Sequence, residues 1–140
     1  MKPFSRLLAL AGLALAVLAV WRGALAVPVQ FDDHDVVSPE RFEAPFDPLK
    51  ALAEAVEAPF GRPLATWSFR FDHALWGYDP QRFHATGLVL HWLCAVMVWE
   101  LARRGWTALR GFPGAFVCAW AAGFCFALHP VQAETVLHLS

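Results

Sequence analysis

The chain has 140 residues, 58% of them hydrophobic and only 16% charged, with a formal net charge of −1. A soluble domain carries about a quarter of its residues charged, so the deficit argues against an ordinary soluble domain. The near-neutral balance, with no basic stripe, argues against a nucleic-acid partner. Ten of the 12 acidic residues fall between Asp32 and Asp79, with apolar sequence on either side. This is the pattern of membrane, polar loop, membrane. The expected fold class is an all-α membrane protein with about three transmembrane helices and a long extracytoplasmic loop containing short surface helices.

Residues 1–29 hold the first span. Its apolar core, 7–27, has the roughly 20 residues a crossing helix needs, provided that Arg22 snorkels to the headgroups and Trp21 sits at the interface. Lys2, Arg6 and Ala24-Leu25-Ala26 also imitate a cleavable signal peptide, which would leave a mature N-terminus at Val27. Two further apolar runs favour an uncleaved helix. The chain then enters an outer loop over 30–82, with prolines at 45, 48, 59 and 63. Within it, residues 48–57 are helix-favouring, with Leu49, Leu52, Ala53 and Val56 on one face. Such a helix either lies on the membrane surface or packs on its own neighbours.

The second span is expected over 83–102, interrupted by His84, His91 and Glu100 and closed by Arg103-Arg104. Residues 103–111 form a turn, and the third span runs over 112–128, short for a crossing. His129-Pro130 ends or kinks it, and 129–140 begin a second outer loop. Lys2 and Arg6 fall on the same side as Arg103, Arg104 and Arg110, which makes that side cytoplasmic. The 30–82 loop and the residues after His129 then share the outer face of a bacterial inner membrane or of the endoplasmic reticulum. The cysteines, Cys94, Cys118 and Cys125, lie in apolar runs at no metal-ligand spacing and read as small buried hydrophobes.

Three groups of residues can carry chemistry. Phe31-Asp32-Asp33-His34-Asp35 places three carboxylates and an imidazole just beyond the first span. Adjacent carboxylates repel, so one proton is held more tightly, and such a pair serves as a general base or helps hold a divalent ion. A solvated acidic helix exit is the plainer alternative. Glu134, just past the third span, needs a partner or a function so near the membrane. His129 and His138 are close in sequence, although their spacing is no specific metal signature. Arg62 and Arg70 approach the second span from outside, where an arginine fork binds phosphate bidentately or simply meets headgroups. His84 and His91, seven apart on one helix face, read as packing or hydrogen-bonding inside the bundle.

The order of these pieces resembles the start of the C-superfamily membrane glycosyltransferases, among them the transmembrane and tetratricopeptide-repeat O-mannosyltransferases and bacterial relatives. The resemblance runs from an apolar helix ending in Phe31-Asp32-Asp33-His34, through Arg62-Pro63-Leu64 and Leu75-Trp76-Gly77-Tyr78-Asp79-Pro80. It continues with Phe83-His84 and Leu90-His91, and ends with Phe126-Ala127-Leu128-His129-Pro130-Val131 before Glu134-Thr135-Val136. It implies inverting transfer of a sugar, mannose being one candidate, from a polyprenyl-phosphate carrier to a protein or other acceptor hydroxyl on the outer face. It also implies Asp32 as base, Asp33 as its partner and Glu134 as a positioning or ion-binding carboxylate. Arg62, Arg70 and His129 would contact substrate. The family's enzymes have many more spans, so the resemblance implies an N-terminal fragment that is inactive alone. The competing expectation is a small noncatalytic membrane protein whose acidic outer loop binds a partner or a metal ion.

Overall fold

The computed structural model describes residues 3–28, 47–57, 63–108, 114–133 and 136. Every element among them is helical: α1 (Pro3–Trp21), tightening into a 3-10 turn at Arg22–Ala26, α2 (Pro48–Glu57), α3 (Pro63–Trp76), α4 (Pro80–Ala108), α5 (Ala115–Leu128) and a 3-10 turn at Pro130–Gln132. Ser5–Ala26 and Pro80–Ala108 are long and apolar enough to cross a membrane. α5 has 14 residues, about 21 Å at 1.5 Å each, less than the ~30 Å hydrocarbon core.

The core lies where α1, α4 and α5 meet. On α1 the buried residues are Ala9, Leu13, Val17 and Trp21, one per turn. α5 answers with Ala119, Gly123 and Ala127 at the same spacing. Small residues at every fourth position let backbones approach closely, which drives helix association in an apolar surrounding where burial of oil against oil gains little. Trp21 meets Ala127 and Leu13 meets Gly123, so α1 and α5 run in the same direction. His91 meets Ala127 and Trp99 meets Gly123, so α4 runs opposite. The indole of Trp92 donates to the Leu10 carbonyl at 3.2 Å and ties α4 to the middle of α1. The outward faces are apolar too: Leu7, Leu8, Leu15 and Leu18 of α1 and Val89, Leu90, Leu93, Met97 and Leu101 of α4 are exposed.

The second long helix exceeds its expected bounds, 83–102, at both ends. At its start, Pro80 occupies the first turn, where a missing N–H costs nothing, and Asp79 accepts from the Gln81 N–H at 3.0 Å as an N-cap. At its end, Glu100 accepts from Arg103 (2.7 and 2.6 Å) and Arg104 (2.8 Å). These pairs, three and four residues apart, sit on one helix face and carry the helix onward to Ala108.

α2 falls where its periodicity indicates, with Asp47 accepting from the Leu49 and Lys50 N–H groups at 2.9 and 3.1 Å. Its Leu49, Leu52 and Val56 are exposed rather than packed on neighbours. α3 is a second helix within the 30–82 stretch, beyond the one expected over 48–57. It is tied to α2 by the Trp67 indole donating to the Pro48 carbonyl at 3.1 Å. It ends at Gly77, whose φ of +66° is the left-handed helix stop that glycine adopts without steric cost.

Trp21 is buried inside the bundle at 8% exposure. One smaller expectation differs. Cys94 and Cys118 are half-buried but Cys125 is exposed, because it stands on the outward face of α5 with Val117 and Ala121.

Candidate functional site

The candidate site is the end of the bundle where α1 and α5 both terminate. Pro130 has no N–H to return to the carbonyl of Phe126. The next residue, Val131, donates its N–H to Nδ1 of His129 at 3.1 Å instead of to a helix carbonyl. The Ala127 carbonyl therefore loses its helical donor.

Two side chains from other helices replace it. Trp21 Nε1 donates at 2.7 Å from α1, and His91 Nε2 lies at 3.0 Å from α4. A carbonyl only accepts, so His91 holds its proton on Nε2 here. Both contacts are buried, and a carbonyl left bare in such a place costs about 1–3 kcal/mol. Ring packing fixes the geometry. His91 stacks on Phe126 with centroids 5.6 Å apart, and Trp21 meets it edge-on at 6.2 Å.

This junction sets where two chain exits leave the bundle. Asp32 comes four residues after Pro28, and Glu134 directly follows Ala133. Ala133 packs against the buried core cluster, whose members include Trp21, Ala24, Ala127 and Val136, and Val136 itself is 2% exposed. Asp32, Asp33, Arg62 and Glu134 themselves lie outside the described residues, as do His34, Asp35 and His138. Of the remaining expected site residues, His129 is exposed and its Nδ1 caps the 3-10 turn. Arg70 stands half-buried on α3. Among the described residues, no three His, Cys, Asp or Glu side chains are grouped to hold a metal ion.

Asp72 is a buried carboxylate that no local sequence pattern singles out. It is 4% exposed on α3, and Thr86 of α4 donates to its Oδ1 at 3.0 Å. Phe69 packs on Phe83 one turn away, at 6.3 Å. Burial pushes the Asp72 carboxyl above its ordinary value of 3.8, partly offset by the Thr86 hydroxyl. His84, at 1% exposure, and His91 are both buried on α4, as their shared face indicated.

A stability consequence follows with a definite sign. A carboxyl that binds its proton more tightly folded than unfolded contributes stability that is fully present below pH 3.8 and lost as pH rises through its raised value. Asp72→Asn keeps the shape and an acceptor for Thr86 but cannot ionise. In detergent, thermal unfolding followed by circular dichroism between pH 4 and 7 should show wild type losing stability relative to Asp72→Asn as pH rises. Parallel curves would show that Asp72 does not couple to folding.

The described residues form a helical bundle in which two helices are long and apolar enough to cross a membrane. Several curated proteins are similar to it in sequence. Protein O-mannosyl-transferase Tmtc3 of Drosophila melanogaster is 32% identical across 54% of this chain and 10% of its own length. In Mus musculus, protein O-mannosyl-transferase TMTC1 is 36% identical across 62% of this chain and 9% of its own length. TMTC2 of the same animal is 39% identical across 54% of this chain and 8% of its own length. The chain thus spans about a tenth of the length of the curated relatives it matches. These similarities support a distant relation to the protein O-mannosyl-transferases. No family model matches the chain, and no solved structure does.

Proposed function

We propose that this chain contributes the base-bearing end of a membrane glycosyltransferase that moves a sugar, mannose being the first candidate, from a polyprenyl-phosphate carrier to an acceptor hydroxyl. The observation that carries the reading is the similarity to protein O-mannosyl-transferases. It is joined by a bundle in which α1 and α5 end at the same junction. In this reading Asp32 takes the proton from the acceptor hydroxyl, and Asp33 is its partner. Glu134 positions the acceptor or an ion. Inversion needs such a base opposite the leaving group.

The departing phosphate carries negative charge that must be stabilised as it develops. Arg62, Arg70 and His129 are the residues assigned to it, with a divalent ion as the alternative counter-charge. The chain lies in the membrane with its N-terminus cytoplasmic, and the transfer takes place on the outer face.

The test is transfer itself. Membranes containing the protein, expressed from its genomic locus, are supplied with radiolabelled mannosyl-phosphopolyprenol and a serine- and threonine-rich acceptor peptide. Label should reach the peptide, and membranes lacking the gene product should not transfer it. Equal transfer in both overturns the reading. Adding EDTA then separates a metal-assisted phosphate departure, which stops, from an arginine-assisted one, which does not.

A further inference from the structure

The proposed chemistry leaves Trp21 and His91 without a part, yet both are buried and spend their N–H groups on one carbonyl. From this geometry we infer that Trp21 and His91 are positioning residues. Together they hold the proline-broken end of α5 at Ala127, and so fix where the chain leaves α5 at His129-Pro130, beside the end of α1. The inference rests on the functional reading above.

Three observations converge on it. The Ala127 carbonyl is free to take them because Val131, its helical donor, turns to His129 instead. The two donors come from helices 106 and 36 residues away in sequence, so the bonds report tertiary placement and not local helix structure. Val136 is buried in the same cluster as Trp21, Ala24 and Ala127, and Ala133 packs against that cluster, so the core reaches past the end of α5. A carbonyl oxygen has two lone pairs, and each donor occupies one. Removing one donor therefore leaves the carbonyl satisfied by the other, whereas removing both strands it. The signature is a double substitution far worse than its two parts, as expected for groups sharing one partner.

The test uses a reporter that does not depend on activity. Val136→Cys is placed in the full protein, in a background with Cys94, Cys118 and Cys125 changed to alanine. Its reaction with a small maleimide is timed in detergent. Trp21→Phe and His91→Phe each keep a ring and lose the N–H, and His91→Gln keeps an N–H and loses the ring. We expect slow labelling in the parent and in each single variant. In Trp21→Phe/His91→Phe it should be faster by on the order of tenfold, the cost of one stranded buried carbonyl. Trp21→Phe/His91→Gln should return toward the parent.

In the transfer assay the phenylalanine double variant should lower kcat with KM for the mannosyl donor unchanged, and the glutamine combination should restore it. Labelling unchanged in the phenylalanine double variant overturns the inference, as does a glutamine combination that fails to rescue. Transfer that depends on Asp32 but ignores both donors overturns it too, while leaving the functional reading intact. Labelling that behaves as expected, in membranes that transfer no sugar, sinks the functional reading and leaves the clamp standing.

Discussion

Asp32→Asn lowers sugar transfer by about 10²–10⁴-fold, the usual contribution of a positioned general base. Asparagine has nearly the shape of aspartate but no basic oxygen, so the acceptor hydroxyl must lose its proton to water. Donor binding depends on the lipid tail and the phosphate, which this change does not touch. The loss therefore falls on kcat, with KM for the mannosyl donor little altered. Asp33→Asn acts through its neighbour: it removes an adjacent negative charge that makes Asp32 hold a proton more tightly. Its expected cost is smaller, about tenfold, on the scale of one lost charge interaction. The measurement is steady-state transfer in membranes matched for protein content. Equal rates for wild type and both variants would remove the base from Asp32. A larger loss in Asp33→Asn than in Asp32→Asn would exchange the two roles.

Much of the helical frame was readable because it rests on local rules. Long apolar runs, the break at His129-Pro130 and the amphipathic face of residues 48–57 each need only near neighbours in the chain. The α4 start was readable in principle from Asp79-Pro80, a capping pair, but the apolar run alone placed it later. α3 was harder. Its Thr66, Ser68, Arg70, Asp72 and His73 interrupt any apolar stripe, and the helix gains its partners only by lying on α2 and α4.

The same limit applies to the buried polar groups. An aspartate amid polar sequence reads as solvated until the N-terminal turns of α4 cover it, as they cover Asp72. A tryptophan at the end of an apolar run reads as interfacial, since nothing local reveals that a carbonyl at Ala127 waits for its N–H. What local sequence does contain is the helix break at His129-Pro130, beyond which Val131 bonds to His129 and not back to Ala127.

Gly123→Leu should unfold the bundle, costing about 3 kcal/mol or more, at or beyond the upper end of ordinary overpacking. A Cβ at this position would stand 3.0 Å from Cβ of Trp99, 3.4 Å from Leu13 Cδ2 and 3.6 Å from the Ala95 carbonyl. The nearest of these is the root of a side chain, fixed to the α4 backbone, so no rotamer change relieves the clash. Helix α4 must retreat, and on α1 the end of the Leu13 side chain must give way to the rest of the new side chain. Gly12 is a softer case, because there a Cβ meets ring atoms of Trp120 at 3.1 and 3.2 Å, and a ring can tilt. Gly105 meets nothing within 4 Å, so alanine there should stabilise by up to ~1 kcal/mol through helix propensity. Thermal unfolding in detergent should rank the variants Gly105→Ala, wild type, Gly12→Ala and Gly123→Leu in falling order. Gly123→Leu as stable as Gly105→Leu would mean that α5 does not pack at this distance. Because Gly123 lies one turn before Ala127, its replacement also draws the terminal carbonyl away from Trp21 and His91. The small-residue stripe and the carbonyl clamp are thus one device: close packing brings α5 within reach, and the broken helix end offers the group that its neighbours hold.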